Sequence, residues 1–442
     1  MFEIKNFSFS YPFSQYKIGF NGSFKIKSGE CVLITGNSGS GKSTLLQALK
    51  GLIPNQINGT IYGEISYKDK SIQSINENEL LKIGYLQQNP DHQIICNTVF
   101  NELAFGLENL QLSKNIIEAK IIDIAQEFNI SHLLQRDLHN LSGGEKQKVN
   151  LLAILLMDPD VLLLDEPTAF LDPQSAHEII SILKKYIHKK TVIIIEHNTH
   201  YLINLIDRVI NIDKFGQIEL LDKNTINTPK IQIIKNDYKS NVLLNINNLN
   251  FSYKNTKSYL LKNINLTLNS GEIISIHGKN GNGKSTLLKL IAKIIKQKQS
   301  VYYNGKDISQ IKDKNYWKNV CLLWQNPENH FVFNKVSDEI SEHSILTKFD
   351  LIKTKNQSPY NLSEGQKRRL SLAIAFSLDC KLYLLDEPSF GQDEKNKQVL
   401  AKTIQEIAAN GKSFIIVSHD LAFSEALSHK IYTIHNGELC LS

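Results

Sequence analysis

The 442-residue chain has an ordinary globular composition, with 41% hydrophobic and 21% charged residues, and its length allows two domains that each bury a full core. Its formal net charge of +6 fits a lysine-rich solvated surface as well as attraction to nucleotides, nucleic acid or anionic lipid. No apolar stretch approaches the ~20 residues of a membrane span. The five cysteines lack metal-ligand spacing and are expected to be reduced thiols in a cytosolic protein.

An internal repeat organises the sequence. The segment GNSGSGKST at 36–44 returns as GKNGNGKST at 278–286, and FSY, QNP, LSxG, LLDEP and a strand ending in histidine recur in the same order. The signature serine and the DEP aspartate are 23 residues apart in each half. We therefore predict homologous domains at 1–220 and 243–442, joined by a connector at 221–242.

Each half alternates unbroken apolar runs with amphipathic segments. Such runs, bounded by polar loops, indicate a parallel sheet that is covered on both faces. The predicted strands are 30–35, 161–164, 192–195, 272–277, 382–385 and 414–417. The predicted helices that leave the glycine-rich loops are 44–52 and 286–295. The fold class is therefore expected to be α/β, with two P-loop domains in tandem.

Both glycine-rich loops match G-x-x-x-x-G-K-[ST], whose backbone N–H groups surround phosphates at a helix N-terminus. Lys42 and Lys284 are expected to bridge the β- and γ-phosphates of ATP, and the serines that follow them to coordinate Mg²⁺. The predicted phosphate-binding residues are Gly36, Asn37, Ser38, Gly39, Ser40, Gly41, Lys42, Ser43 and Thr44 in the first half, and Gly278, Lys279, Asn280, Gly281, Asn282, Gly283, Lys284, Ser285 and Thr286 in the second.

A pair of acidic residues closes one apolar strand in each half. Asp165 and Asp386 are expected at the carboxyl edge of the sheet, where doubly wound folds bind ligands, and are predicted to bind Mg²⁺ directly or through water. Glu166 and Glu387 are then placed to act as general bases on the attacking water. The alternative is an Asp-Glu pair that only caps a helix, which the P-loop upstream disfavours.

His197 and His419 follow runs of β-branched residues, 32 and 33 positions after the aspartates. A histidine at a strand end is more often structural, but this spacing favours a contact with the γ-phosphate.

The segments LSGGE and LSEGQ each predict a helix start with an anion site at its N-terminus. A simple helix cap is the alternative. A second anion site on each domain is explained if it completes the phosphate site of the other domain in place of an arginine finger. The pairing could be within one chain or across two chains, and we favour intramolecular pairing of the two ATPase domains. The residues expected to contribute are Ser142, Gly143, Gly144, Ser363 and Gly365.

Together these motifs resemble those of the ATP-binding subunits of ABC transporters over nearly the whole chain. The resemblance implies ATP and Mg²⁺ as ligands, and a RecA-like core with a helical subdomain in each half. It implies that Gln88 and Gln325 are Q-loop residues that act in catalysis and bind Mg²⁺. It also implies that Tyr11 and Tyr253 stack on adenine, although an aromatic residue in a strand is about as often part of the core.

The segment Gln87–Leu110 further resembles the energy-coupling-factor and cobalt-type importers, and Gln325–Ile340 resembles a reduced form of it. This implies an ATPase that energises import of a vitamin or a transition-metal ion. Its partners would be a transmembrane coupling protein and a small membrane substrate-binding protein, at the cytoplasmic face of a bacterial cell membrane. The alternative is a soluble tandem ABC ATPase acting on ribosomes or nucleic acid. Such proteins usually have a long charged linker between their two domains, and residues 221–242 are too short to form one. We therefore expect no nucleic-acid partner.

Two departures from the family pattern predict an asymmetric protein. Glu145 ends the first signature in place of glutamine, and Glu364 replaces the first glycine of the second signature. A carboxylate beside a γ-phosphate is unfavourable unless it points away, so we expect slower turnover at the site built on Lys42. The Q-loop and the signature serine are 54 residues apart in the first half and 38 in the second, which predicts a second helical subdomain that is shorter by about a helix's worth of residues.

Overall fold

The chain separates into two compact units, Met1–Thr228 and Pro229–Ser442. The computed structural model describes residues 1–12, 17–36, 39–169, 171–196, 202–213, 216–223, 235–254, 258–297, 299–340 and 342–442. The predicted site residues Asn37, Ser38 and His197 lie outside these ranges, as does half of the expected connector. The domain limits expected from the repeat stay predictions.

The first unit combines a parallel sheet, an antiparallel sheet and a layer of helices. Its strands are β1 (Phe2–Ser10), β2 (Ile18–Gly19), β3 (Ser23–Ile26), β4 (Cys31–Gly36), β5 (Thr60–Tyr67), β6 (Lys70–Ser71), β7 (Ile83–Leu86), β8 (Val161–Asp165), β9 (Thr191–Ile195), β10 (Arg208–Ile212) and β11 (Ile218–Leu221). Its helices are α1 (Lys42–Leu49), α2 (Glu77–Leu81), α3 (Val99–Asn109), α4 (Lys114–Glu127), α5 (Gly143–Leu156) and α6 (Pro173–Lys184). Helices α3, α4 and α5 pack against one another.

The larger sheet has the strand order β11–β10–β4–β9–β8–β7 and is parallel except for the edge strand β11, which is antiparallel to β10. This order brings the P-loop strand close to the strand that carries Asp165. Both Ile34 of β4 and Asp165 of β8 pair with Ile195 of β9. Asp165 is therefore level with the end of β4, just before the glycine-rich loop. This edge is the one at which doubly wound sheets bind ligands.

The strands of this sheet divide their side chains between two apolar cores. Leu162 and Leu164 pack with the helical layer, whereas Leu163 and Ile193 pack with α1 and the antiparallel sheet. Every residue of β8 is buried, and each buried leucine contributes roughly 1.5–3 kcal/mol relative to an exposed one. Burial on both faces explains the unbroken apolar runs, and the predicted parallel sheet is confirmed.

The second unit repeats this arrangement. Its strands are β12 (Val242–Phe251), β13 (Leu261–Asn269), β14 (Ile273–His277), β15 (Val301–Tyr303), β16 (Lys306–Asp307), β17 (Val320–Leu323), β18 (Leu382–Asp386), β19 (Ser413–Val417), β20 (Lys430–His435) and β21 (Glu438–Leu441). Its helices are α7 (Lys284–Ile291), α8 (Asp313–Trp317), α9 (Val336–Glu339), α10 (His343–Lys348), α11 (Glu364–Ser377), α12 (Glu394–Ala409) and α13 (Leu421–Leu427). Its parallel sheet, β17–β18–β19–β14–β20–β21, has the same order of equivalent strands. The predicted tandem α/β fold is confirmed.

The helical layer of the second unit is shorter than that of the first, as the sequence predicted. The expected difference was about a helix's worth of residues. Helices α9 and α10 have 4 and 6 residues, where α3 and α4 have 11 and 14. The shorter segment between Q-loop and signature is therefore accommodated by shortening both helices. No helix within the described ranges is both long and apolar enough to cross a bilayer.

The helices that follow the glycine-rich loops differ from their predicted bounds. They begin at the P-loop lysines and end at Leu49 and Ile291, earlier than the expected 52 and 295. Left-handed residues follow each end, namely Gly51 with φ 78° and Lys293 with φ 62°. Such a residue breaks the α-helical hydrogen-bond pattern and terminates a helix.

Candidate functional site

The glycine-rich loop of each unit joins a central strand to a helix. Gly41 and Gly283 precede α1 and α7 with φ values of 92° and 91°, a conformation that other residues rarely adopt. A Cβ atom on Gly41 would also lie 2.5 Å from Ile18 Cγ2. Glycine at this position therefore lets the loop close onto the helix N-terminus, which is the geometry of an anion site.

The P-loop lysines fold back over their own loops. Lys42 Nζ donates to the Gly36 carbonyl at 2.8 Å. Lys284 Nζ donates to the carbonyls of Gly278 at 2.5 Å and Lys279 at 3.0 Å. Both lysine side chains are buried. Each loop thus carries a fixed positive charge beside its helix N-terminus, which complements a polyphosphate.

The carboxylate that closes β8 meets the P-loop helix. Ser43 Oγ donates to Asp165 Oδ1 at 3.0 Å, and Tyr85 Oη donates to Asp165 Oδ2 at 3.3 Å. Burial, and then the charge of Glu166, raise the pKa of Asp165 to about 7. The charged form of this carboxylate is therefore disfavoured by burial and by the neighbouring Glu166.

The second unit contains the equivalent group. Burial raises the pKa of Asp386, although a hydrogen bond from Ser285 opposes the shift. Burial and the charge of Asp386 also raise the pKa of Glu387. Glu387 Oε1 makes no hydrogen bond to any described residue. A divalent cation would compensate this acidic pair, and hydroxyl and carboxylate oxygens are ligands that Mg²⁺ prefers.

The two candidate general bases have an unusual backbone conformation. Glu166 and Glu387 have φ values of 47° and 51°. Their N–H groups donate to the next strand, at Ile195 O (2.8 Å) and Val417 O (2.9 Å). A left-handed residue other than glycine costs roughly 1–3 kcal/mol and is typical of functional sites. The same strained turn in both units positions a glutamate at the edge of the sheet.

The Q-loop glutamines differ between the units. Gln88 Nε2 donates to Glu166 Oε2 at 2.8 Å. In the part of the second unit that the structure describes, the Gln325 side chain is exposed and makes no hydrogen bond to Glu387. The structure therefore brings Gln88 to the candidate base but leaves Gln325 apart from it.

His419 contacts the candidate base of the second unit. Its backbone N–H donates to Glu387 Oε2 at 3.1 Å. Its Nε2 lies 2.9 Å from Asn280 Oδ1 and 3.4 Å from Lys284 Nζ. His419, which is predicted to contact the γ-phosphate, thus lies beside three other predicted site residues. The equivalent His197 is outside the described residues.

The signature serines cap the helices that follow them. Ser142 Oγ donates to Glu145 Oε2 at 2.7 Å, and Ser363 Oγ donates to Gln366 Oε1 at 3.1 Å. Both helices begin with a capping box, which fixes the first turn by reciprocal hydrogen bonds. Glu145 therefore replaces glutamine without changing this local structure.

Glu364, the second departure from the family pattern, has a partner in its own unit. Lys367 Nζ lies 3.3 Å from Glu364 Oε1 and 2.6 Å from Glu328 Oε1. The Glu364 side chain is 33% exposed. Its negative charge is therefore partly neutralised, which weakens the argument for electrostatic repulsion of a phosphate.

The signature glycines lie in the first turns of α5 and α11. A Cβ on Gly143 would meet nothing within 4 Å, whereas one on Gly144 would lie 2.5 Å from Ser175 Oγ. In the second unit, Gln392 Nε2 donates to the Gly365 carbonyl at 3.0 Å. In the first unit, a small residue is thus required at Gly144, where the signature helix meets α6.

The predicted adenine-binding tyrosines lie beside the P-loop helices. The Tyr11 and Tyr253 hydroxyl groups are each 3.1 Å from a threonine hydroxyl, on Thr44 and Thr286. This places the rings at the nucleotide side of each loop, while adenine stacking itself stays a prediction. Ser40 Oγ is buried with no hydrogen-bond partner in the described residues, as expected of a loop whose ligand is a phosphate.

Two polar residues near these sites were missed by motif analysis. Tyr85 carries the one side-chain hydroxyl of the otherwise apolar strand β7. Arg368 is a buried arginine just after the second signature. The hydroxyl within an apolar strand was a usable signal for Tyr85. Nothing in the sequence distinguished Arg368 from its neighbour Arg369.

The comparisons with known proteins agree with this geometry. The family model described as ABC transporter matches residues 20–169 and 261–390. The chain is 31% identical to a Bacillus subtilis protein provisionally named HMP/thiamine import ATP-binding protein YkoD, over 99% of this chain and 90% of that protein. It is 33% identical to a provisionally named ABC transporter ATP-binding protein of Sulfurisphaera tokodaii, over 99% and 97%.

Among solved structures, the chain is similar to the archaeal ribosome recycling factor aABCE1 in its complex with ribosomal stalk protein aP1. The TM-score is 0.68 at 20% identity, covering 98% of this chain and 89% of that one, and this likeness concerns the fold alone. The protein belongs to the ABC transporter family. It is a tandem ATP-binding protein whose ATPase activity is coupled to transport. The predicted resemblance to ABC transporter ATP-binding subunits is confirmed.

Proposed function

We propose that the chain hydrolyses MgATP at both P-loops to drive a membrane importer of the energy-coupling-factor type. It would act at the cytoplasmic face of a bacterial membrane, with a transmembrane coupling protein and a small substrate-binding membrane protein. The cargo class is a vitamin or a transition-metal ion, and the name of the Bacillus subtilis relative favours HMP or thiamine.

The observation that carries this proposal is a loop after each Q-loop that presents an apolar side chain to solvent. In the first unit, the buried Glu102 of α3 accepts hydrogen bonds from the N–H groups of Ile95 at 3.0 Å and Cys96 at 2.8 Å. The loop backbone is thereby fixed, and Ile95 is 66% exposed.

The second unit repeats this loop at equivalent positions. Glu339 of α9 accepts from Val332 N–H at 2.6 Å and Phe333 N–H at 2.8 Å. Val332 is 81% exposed and Phe333 is 50% exposed. Single exposed apolar residues are common. An ordered apolar loop that recurs in both halves is better explained by a protein partner that covers it.

Nucleotide binding follows from the P-loop geometry. The loop N–H groups, the N-termini of α1 and α7, and the Lys42 and Lys284 ammonium groups would hold the phosphates. Ser43, Asp165 and Gln88 would hold Mg²⁺ in the first site, with Ser285, Asp386 and Gln325 in the second. When bound, Mg²⁺ would neutralise charge on the β- and γ-phosphate oxygens.

The chain's own residues would then activate water. Glu166 and Glu387 would accept the proton of the attacking water as general bases. Gln88 would hold Glu166 in position through its 2.8 Å hydrogen bond. His419 would fix Glu387 through its backbone N–H and would present Nε2 toward the γ-phosphate. His197 would have the same role in the first site.

The test begins with the full chain, tagged and isolated from detergent-solubilised membranes of its native host. We expect a multi-span membrane protein to co-purify, and the complex in proteoliposomes to accumulate labelled thiamine or HMP when ATP is supplied. The double substitution Ile95→Glu with Val332→Glu should reduce the recovered membrane protein. Leu441→Glu, at another exposed apolar residue (66%), should not.

Recovery of the chain with ribosomes and without a membrane protein would contradict the proposal. Uptake of cobalt or nickel ions but not of thiamine or HMP would keep the importer and change its cargo. Intramolecular pairing of the two halves stays a prediction of the sequence.

A further inference from the structure

The signature helix of the first unit is tied to the Q-loop segment by side chains. Lys146 of α5 forms an ion pair with Asp91, with Nζ 2.7 Å from Oδ1. Gln147 Nε2 donates to the Gln87 carbonyl at 3.2 Å. The helix that carries Ser142 is therefore bonded to the residue that precedes Gln88.

The second unit has the same ties at equivalent positions, with one change. Lys367 of α11 pairs with Glu328 at 2.6 Å, as Lys146 does with Asp91. Arg368 occupies the position of Gln147. Its Nη1 donates to the Trp324 carbonyl at 2.8 Å, and its Nη2 donates to the Gln325 carbonyl. The Arg368 guanidinium thus donates hydrogen bonds to two successive Q-loop carbonyls. In the first unit, the Gln147 side-chain amide donates to one.

Arg368 is an unusual residue to bury. Its side chain is 1% exposed, and a charge removed from water persists only with hydrogen bonds or opposite charges around it. Burial lowers the pKa of Arg368 to about 10, while the charges of Glu387, Asp386 and Glu364 act in the opposite direction. The guanidinium therefore stays charged and lies in the field of the acidic pair at the second ATP site.

We propose that Arg368 is a positioning residue of the second ATP site, which fixes the Q-loop to the signature helix and thereby sets where Gln325 lies relative to Glu387. The first site lacks this charged tie and instead holds its glutamine by the contact between Gln88 and Glu166. This inference rests on the proposed hydrolysis of ATP at the second site.

The chain provides its own spectroscopic probe for this contact. Trp324 and Trp317 are its two tryptophans, and Trp324 carries one of the carbonyls that Arg368 holds. In a Trp317→Phe background, the tryptophan fluorescence of the full chain, excited selectively over its tyrosines, reports on Trp324 alone. We expect Arg368→Met, which keeps length but removes the donors, to increase quenching of Trp324 by acrylamide.

Arg369→Met is the matched control, since Arg369 is the adjacent buried arginine of α11 and makes no hydrogen bond to the Q-loop residues that the structure describes. It should leave Trp324 quenching near that of the parent. Arg368→Gln should give an intermediate value, because Gln147 makes the same kind of contact in the first unit.

The functional arm uses a Glu166→Gln background, so that hydrolysis reports on the second site. Arg368→Met should lower kcat about tenfold, as expected for lost hydrogen bonds to a charged group, with little change in KM for ATP. Arg368→Gln should recover part of kcat.

Parental Trp324 quenching in Arg368→Met, or an equal increase in Arg369→Met, would overturn the proposal. An unchanged kcat in Arg368→Met would also overturn it. So would a lower kcat that is accompanied by a changed KM and by lower thermal stability, because that combination indicates general structural damage. If Glu166→Gln and Glu387→Gln leave hydrolysis at the parental rate, the proposed function fails instead, and Trp324 quenching still decides whether Arg368 holds the Q-loop.

Discussion

Gln88 Nε2 donates a 2.8 Å hydrogen bond to Glu166 Oε2, across 78 residues of sequence. The equivalent glutamate of the second unit, Glu387, accepts instead from the backbone N–H of His419 at 3.1 Å. The repeated motifs therefore produce two catalytic glutamate candidates with the same strained backbone and different partners. Mutations at equivalent positions of the two units are expected to change ATP hydrolysis in the same direction but by different amounts.

The first prediction concerns the candidate general bases. Glu166→Gln and Glu387→Gln should each lower hydrolysis at their own site by about 10²–10⁴-fold, because the amide cannot accept the proton of water. ATP binding should be retained, because the P-loop contacts remain. Phosphate release and equilibrium ATP binding measure the two effects. Glu438→Gln, on the exposed strand β21, serves as the control, and a double variant with parental hydrolysis would exclude both residues as bases.

A second prediction concerns stability at the first signature. Gly144→Ala should destabilise the first unit by about 1–3 kcal/mol, since its Cβ would lie 2.5 Å from Ser175 Oγ and overpacking of this kind has such a cost. Gly143→Ala is the matched control, because its Cβ meets nothing within 4 Å. Chemical denaturation measures both, and adding Ser175→Gly to Gly144→Ala should restore stability. Equal free energies of unfolding for Gly144→Ala and Gly143→Ala would contradict the geometry.

The third prediction is a dependence of stability on pH through His330. Burial, followed by the charge of Arg368, lowers the pKa of His330 to about 4, and its Nε2 accepts from Trp324 N–H at 2.9 Å. An ordinary histidine titrates near ~6.5. The unfolded chain therefore takes up this proton first as the pH falls, so the stabilising contribution is complete above pH ~6.5 and is lost toward pH ~4.

His330→Gln isolates this contribution, since Gln93 has the equivalent position in the first unit. Gln93 Oε1 accepts from Gln87 N–H at 3.0 Å, which shows that glutamine can make the same contact without titrating. Denaturation of both forms at about pH 7.5 and about pH 5 should show a smaller loss in the variant. The same loss in both forms would mean that other groups determine the acid sensitivity.

Much of the fold was predictable because local sequence determines it. The six strands predicted from the sequence begin and end within one residue of their predicted bounds, since burial on both faces requires apolar residues at every position. The other strands of these sheets were not predicted. The helices after the P-loops were predicted too long, because apolar residues continue past Leu49 and Ile291. Gly51 was a readable stop signal, since glycine commonly follows the end of a helix, whereas Lys293 gives no such signal in the sequence.

The contacts around the sites were less predictable, because they join distant segments. The motifs identified Asp165 and Ser43. They did not identify the hydrogen bond from the Tyr85 hydroxyl of β7 to Asp165 at the end of β8. Likewise, Glu364 suggested an electrostatic obstacle at the signature, whereas Lys367 lies 3.3 Å from its carboxylate. That pair is i,i+3 within α11 and was accessible from helical spacing, whereas the contact of Lys367 with Glu328 depends on how α11 packs on the Q-loop segment.

The number of ATP molecules bound per chain tests the central claim most directly. Equilibrium binding of labelled MgATP to the Glu166→Gln, Glu387→Gln double variant should show one ATP for each P-loop, two per chain. Adding Lys42→Met or Lys284→Met should remove one ATP each, because each lysine is anchored in its own loop. Binding of a single ATP per chain, or of two ATP molecules that persist in either lysine variant, would contradict the account of one ATP site at each P-loop.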